Sequence, residues 1–420
     1  MSGRSGIRSI MDDIASAVTT PGDGEWLNLS PGNPSLIPEV VGVWRGLFEE
    51  ALAEDFTEAS CRYGPSRGAG VLVDAIVRYF GDRYDWPIRA ENVLVGPGSQ
   101  LLCFIATAVF TEVTATANRP LIIPCMPDYA GYHGLSLDAA GMVGVPPRIE
   151  LQDERSFRYV VDVEAVRGLT DMGMMLLSSP RNPTGASLDL GELAALVEIA
   201  DNRDVPLLVD HAYGRPFPMV VDPAVDPMWH RSVINSFTLS KAGLPGERLG
   251  FVIGPSGAIE AMTSFMANAV LHAPQLIQTV AARALESGEI DVLSEKVISS
   301  YYRAKRQAAE QMLRERLPAS VRWRLHSSPG GMFCWLWIDH DWFTDLALYD
   351  ALKARKVFVV PGRHFFVGPH TTPFLAGHGT RCVRLSLTCD EQTIAEGVTR
   401  LGEALEELRD RHIGARYLGR

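Results

Sequence analysis

Between about residue 65 and residue 290, short apolar runs alternate with stretches whose apolar positions recur every three or four residues. Val93-Leu94-Val95, Leu121-Ile122-Ile123, Met174-Met175-Leu176-Leu177, Leu207-Leu208-Val209 and Leu249-Gly250-Phe251-Val252-Ile253 are apolar throughout, and Gly, Pro, Ser or Asp closes each one. A strand with one wet face alternates polar and apolar residues, so unbroken apolar runs predict strands covered on both faces. With 190–203 reading as an amphipathic helix between two of them, the pattern predicts an α/β fold with a mostly parallel sheet and helices on both faces. Beyond a long helical region at about 258–317 the pattern changes. Runs at 332–338, 357–360 and 382–388 read as strands among helices at 346–356 and 390–411. The expected organisation is therefore a large domain over 61–315 and a smaller α+β domain over 316–420. The Pro- and Gly-punctuated segment 1–60 is expected to join the small domain, with chemistry in the cleft between domains.

Charge narrows the partners. The 420 residues carry a formal net charge of −11, which repels polyphosphate and makes nucleic acid and anionic membrane poor partners. No apolar stretch approaches the roughly 20 residues of a bilayer span, and none among the first twenty residues reads as a signal peptide. A cytoplasmic protein with a small-molecule ligand is expected. Cys61, Cys103, Cys125, Cys334, Cys382 and Cys389 form no Cys-x-x-Cys pair, which predicts reduced thiols rather than zinc ligands or disulfides.

Lysine is scarce. Lys241, Lys296, Lys305, Lys353 and Lys356 are the only five, and the last four lie in charged stretches expected to be solvated helix faces. Lys241 stands in Phe237-Thr238-Leu239-Ser240-Lys241-Ala242-Gly243-Leu244, which holds no other charge. An amine desolvated there loses its proton readily, which imine formation requires.

Ligands of an open α/β sheet bind beyond the carboxyl ends of the strands, so the residues following each run form one candidate set. Gly96-Pro97-Gly98-Ser99-Gln100 precedes an apolar helix and offers free N–H groups and a hydroxyl at its N-terminus, a phosphate cradle. Pro180 and Pro183 bracket Asn182 and fix its amide. Asp210 ends a buried run, and Tyr213 follows three residues later. An imine-forming lysine, a phosphate cradle, a carboxylate and a phenol are the parts that hold pyridoxal phosphate.

In these motifs the chain resembles the class I/II aminotransferases of fold type I over nearly its whole length. The resemblance rests on Asn182-Pro183-Thr184-Gly185, on Asp210 with Tyr213, and on Ser240-Lys241 with Arg248 seven residues later. Gly32-Asn33-Pro34, the run from Asp210 to Pro218 and the run from Leu239 to Gly246 are most similar to the valine–pyruvate aminotransferase branch. The resemblance implies a homodimer in which Lys241 carries the cofactor imine and acts as acid and base, Asp210 pairs with the ring nitrogen, and Tyr213 and Asn182 bond the phenolic oxygen. Ser99, Gln100, Thr238, Ser240 and Arg248 are implied around the phosphate, Tyr129 on the ring, and Tyr63 at the neighbouring subunit's phosphate. Arg384 is implied to grip the substrate carboxylate, with Asn182 and Gly32 beside it, and Trp26, Leu27, Leu36, Ile37 and His211 to line the side-chain pocket.

The same residues also serve β-elimination from an S-conjugated cysteine or decarboxylation-coupled oxidative deamination, so both stand as alternatives to transamination. Gly64-Pro65-Ser66-Arg67-Gly68 matches the nucleophile-elbow pattern of α/β-hydrolases, yet no hydrophobic strand precedes it. His364, His370 and His378 fall in one Gly/Pro-rich stretch without metal-ligand spacing and are expected to be solvated loop residues; no metal is expected.

Overall fold

The computed structural model describes residues 26–418 apart from 115, 137–140 and 368–372, together with Asp12 and Ile14, with side chains as far as Gly414. Its larger sheet has seven strands in the order Val93–Gly96, Gly250–Ile253, Val233–Thr238, Leu207–Asp210, Met174–Ser178, Leu121–Ile123 and Met142–Gly144. Only Gly250–Ile253 runs against the others. Alternate side chains of one strand enter opposite cores. Val93, Val95, Phe237 and Phe251 pack with Trp44, Ile76, Phe80 and Ile277 of the helices Pro38–Glu54, Gly70–Tyr84 and Gln275–Glu286. Leu94, Ile234 and Val252 pack on the other face with Leu102, Ile105, Ile259 and Met262 of Ser99–Phe110 and Ser256–Ala269. This two-sided burial is why the strands read as unbroken apolar runs.

The second sheet has the order Val360–Pro361, Cys382–Ser386, Phe333–Ile338, Trp323–His326, Ser156–Val160 and Arg148–Leu151. Its last two strands come from the stretch expected to lie wholly in the large domain, with Ser156 in register with Leu325. Arg148, Glu150 and Leu151 are exposed at the sheet edge, so no buried pattern announces them. The expected single strand at 357–360 is two short ones with different partners: Val357–Phe358 pairs with Leu27–Asn28, and Val360–Pro361 pairs with Cys382–Ser386. The amino-terminal segment thus meets the small domain through Leu27–Asn28, while Pro38–Glu54 packs on Gln275–Glu286 of the large one. Among the described residues no helix is long and apolar enough to cross a membrane, and no cluster of His, Cys, Asp and Glu could hold a metal.

Candidate active site

Parallel strands present their carboxyl ends on one edge, and there Gly96, Ser178, Asp210 and Thr238 end side by side. The antiparallel Gly250–Ile253 starts at the same edge, which delivers Arg248 to it. Gly250 is required by close approach: a Cβ there would lie 2.7 Å from the backbone nitrogen of Ser99.

Asp210 is buried, and Tyr132 donates to its Oδ2 at 3.1 Å. Its Oδ1 is buried without a partner. Desolvation pushes the carboxyl up to about 7, against the Tyr132 hydrogen bond, which pulls the other way. Tyr132 did not emerge from the sequence motifs. Its signal is the i, i+3 spacing from Tyr129, which in the 3₁₀ turn Ala130–Gly134 places both rings on one side; the rings meet edge to face at 5.3 Å.

Lys241 Nζ donates to Gly32 O at 2.6 Å and lies 5.7 Å from the Tyr213 ring centroid. Burial first, then the charges of Arg384 and Arg248, lowers its pKa to about 8, while Asp210 opposes the shift. Asn182 donates to the Tyr213 hydroxyl at 3.2 Å and accepts from Arg384 Nη1 at 3.0 Å. Arg384 Nη2 donates to Ser30 O at 2.5 Å, and its buried Nε has no partner. The guanidinium lies 4.1 Å from the Phe333 ring centroid and 5.1 Å from that of Phe365. Only 6% of Arg384 is exposed and no acid pairs with it among the described residues, so burial lowers its pKa to about 10. Lys241, Asp210, Asn182, Tyr213, Arg384 and Gly32 therefore form one constellation.

At the other end, Ser99 begins the helix Ser99–Phe110, whose first N–H groups and positive dipole end face the edge. Gly98 has φ 92°, and a Cβ there would fall 2.4 Å from Arg248 Nη2. Thr238 Oγ1 lies 3.0 Å from Ser240 Oγ, and Arg248 Nη1 donates to Ser240 Oγ at 3.4 Å. The side chain of Gln100 points elsewhere: its Nε2 donates to Gly131 O at 3.0 Å. The Tyr129 ring covers Gly131, where a Cβ would fall 2.3 Å from it, and its phenol senses the charges of Arg384, Asp210 and Arg248.

The remaining expected residues lie outside this single-chain constellation, Tyr63 being the one expected at a neighbouring subunit. Tyr63 is 86% exposed, edge to face with His272, outside the single-chain constellation. His211 follows Asp210 and so points to the opposite face; its ring stacks on Phe237 and its Nε2 donates to Asn235 Oδ1 at 3.0 Å, in the core rather than in a substrate pocket. Leu36 is exposed, Ile37 is buried under the helix Pro38–Glu54, and Trp26 stacks on Phe358 beside Leu27. Two expected solvated groups are buried. His378 Nε2 shares a hydrogen bond with the Tyr159 hydroxyl at 2.6 Å, and desolvation drops its pKa to about 3; Lys305 caps the carbonyls of Leu387 and Cys389. His370 lies outside the described residues, and His364 is half-buried after Arg363. Ser66 sits in a turn after the helix Phe56–Cys61, not after a strand, so the nucleophile-elbow reading fails. All six thiols are free.

A family model described as aminotransferase class I and II matches residues 25–401. The chain is 31% identical over 409 residues to the valine–pyruvate aminotransferase of Escherichia coli K12, an alignment covering 96% of this chain and 95% of that relative. The solved valine-pyruvate aminotransferase of Salmonella typhimurium LT2 superposes with a TM-score of 0.86 at 29% identity, over 96% of this chain and 100% of that one. A structure from Psychrobacter arcticum 273-4, provisionally described as an amino-acid aminotransferase, gives 0.91 at 30% identity over 97% of both chains. The sheet, the edge residues and these similarities define a fold-type I enzyme of the pyridoxal-phosphate class. The chain belongs to the class I and II aminotransferases, and its cofactor is pyridoxal phosphate. The relatives are named for transamination, which sets aside elimination, oxidative deamination and ester hydrolysis.

Proposed function

We propose that the enzyme exchanges an amino group between a small aliphatic α-amino acid and a 2-oxo acid such as pyruvate, as a cytoplasmic homodimer. Arg384 carries this reading: a buried guanidinium with an unpartnered Nε and no acid beside it suits a substrate carboxylate. Phe333 and Phe365 against it form an apolar wall that favours an aliphatic side chain. The 31% identity to the valine–pyruvate enzyme of Escherichia coli K12 supports the choice of substrates.

The residues present fit the cofactor. The orphaned Oδ1 of Asp210 suits its protonated ring nitrogen, and the Gly98–Arg248 cradle with Ser99, Thr238 and Ser240 suits its phosphate. When bound, pyridoxal phosphate supplies an aldehyde that takes up the amino group and a ring that withdraws electrons from the substrate Cα. Tyr129 would cover the ring, and Tyr213 with Asn182 would bond its phenolic oxygen. Lys241 would hold the aldehyde through its amine and, when free, would accept the proton of the substrate Cα and give it back to complete the exchange. A pKa near 8 suits both transfers. Gly32 O holds the free amine, Arg384 would orient the carboxylate, and Tyr63 of one protomer would reach the phosphate of its partner.

L-Valine added to the yellow holoenzyme is expected to convert the chromophore to the amine form and release the matching 2-oxo acid; pyruvate should restore the colour and yield alanine. A free thiol, an aldehyde or carbon dioxide as product would reject the proposal, as would a monomer by light scattering.

A further inference from the structure

Three observations converge on the turn Ala130–Gly134. Its Gly131 carbonyl accepts from Gln100 Nε2 at 3.0 Å, and Gln100 belongs to the first turn of the helix at the phosphate end. Tyr132 N–H closes the turn on Tyr129 O at 2.9 Å. The Tyr132 hydroxyl, on a ring 1% exposed, reaches Asp210 Oδ2 at 3.1 Å at the opposite end of the site. The turn is anchored upstream as well, where Asp128 accepts from Tyr129 N at 2.7 Å and Ser178 N at 3.0 Å. Among the described residues, the one side-chain donor to Asp210 thus hangs from a turn whose position is set from the phosphate helix.

We infer that Gln100 and Tyr132 are positioning residues forming a strut: Gln100 fixes the turn through Gly131 O, and Tyr132 holds Asp210 Oδ2 so that Oδ1 faces the cofactor ring nitrogen. This assigns the Gln100 side chain to the protein frame rather than to the phosphate, and it rests on the proposed role of Asp210. A phenol suits the task because it is neutral. It orients the carboxylate without neutralising it, leaving the negative charge for the ring.

The test uses the purified holoenzyme and the variants Tyr132→Phe, Gln100→Leu, their double and Asp210→Asn. Two readouts apart from turnover are taken: the pyridoxal phosphate dissociation constant by equilibrium dialysis, and the pH at which the bound chromophore changes its visible spectrum. Loss of a hydrogen bond to a charged group should weaken retention of the cofactor about 10- to 100-fold in Tyr132→Phe. The neutral bond of Gln100 should cost about fivefold. Because both act through one turn, the double variant should be little worse than Tyr132→Phe alone, and the chromophore transition should move in the same direction in all three. A merely structural role would lower the melting temperature and leave that transition in place. Wild-type retention and transition in Tyr132→Phe, or fully additive losses in the double, would overturn the strut even if Asp210→Asn loses the cofactor. Wild-type retention in Asp210→Asn would instead overturn the underlying role of Asp210.

Discussion

Arg384→Lys keeps a positive charge and removes the planar fork. In the folded chain the guanidinium is held from two sides by neutral acceptors, Asn182 Oδ1 at 3.0 Å and Ser30 O at 2.5 Å, with Nε still unpartnered. A lysine ammonium cannot serve these acceptors and a carboxylate fork together. One charge-assisted hydrogen bond is worth about 1.5–3 kcal/mol, and about 1.4 kcal/mol is a factor of ten. Binding of the amino acid should therefore weaken about 10- to 100-fold. The informative comparison is L-valine against 2-methylpropylamine, which has the same side chain and no carboxylate. Pre-steady-state decay of the yellow chromophore gives the rate of the first half-reaction with each. The variant should lose the stated factor on L-valine, lose little on the amine, and keep the cofactor dissociation constant. Equal losses on both substrates, or loss of cofactor, would refute the carboxylate role.

Lys241 titrates at about 8 in the folded chain against an ordinary 10.5, so in that window the unfolded chain binds more protons and apoprotein stability rises with pH. Below about pH 8 the buried cation is a constant cost. Lys241→Met apoprotein should melt higher than wild-type apoprotein there, its advantage narrowing as pH climbs toward 10.5; a pH-independent difference would contradict the shift. Gly98→Ala forces a Cβ to within 2.4 Å of Arg248 Nη2 at φ 92° and ψ 154°, a conformation essentially confined to glycine and costing an L-residue about 1–3 kcal/mol. Dialysis should show pyridoxal phosphate held roughly tenfold more weakly. Tyr63→Ala should weaken cofactor binding without splitting the dimer. Mixing Tyr63→Ala protomers with Lys241→Ala protomers should restore one tight site per heterodimer, and cofactor titration of the mixture would detect it.

What the sequence disclosed follows from burial and periodicity. The central strands were legible because helices cover both their faces, and Asp210 was legible because parallel topology brings strand ends together. The strands Arg148–Leu151 and Ser156–Val160 were not: they carry Arg148, Glu150 and Arg158, and Trp323–His326, which joins Ser156–Val160 to the sheet, lies far along the chain. His378 and Lys305 misled for a related reason. Lys305 stands between arginines and His378 between glycines, and only the folded chain shows the carbonyls or hydroxyl beside them in the core. Tyr132 went unassigned because a lone phenol in a turn is commonplace until its carboxylate partner is seen.

The site's charges differ in kind from those at the surface. At the surface many arginines sit beside acids: Arg83 with Asp291 and Glu295, Arg231 with Asp201, Arg283 with Glu54 and Asp55. At the sheet edge no such pairing occurs among the described residues. Arg384 is held by an amide oxygen and a carbonyl, Arg248 by a hydroxyl and a carbonyl, Lys241 by a carbonyl, and Asp210 by a phenol. Neutral partners orient a charge without cancelling it, and a buried charge left uncancelled destabilises the fold. Asp210 and Arg384 are the buried members of the set, so leaving them uncancelled costs the fold stability that a bound ligand can offset. A phosphate and a carboxylate for the cations, with a protonated ring nitrogen for the anion, complete every group at once. Arg363, by contrast, is met by the carboxylate of Asp345 and has no charge left to offer a ligand.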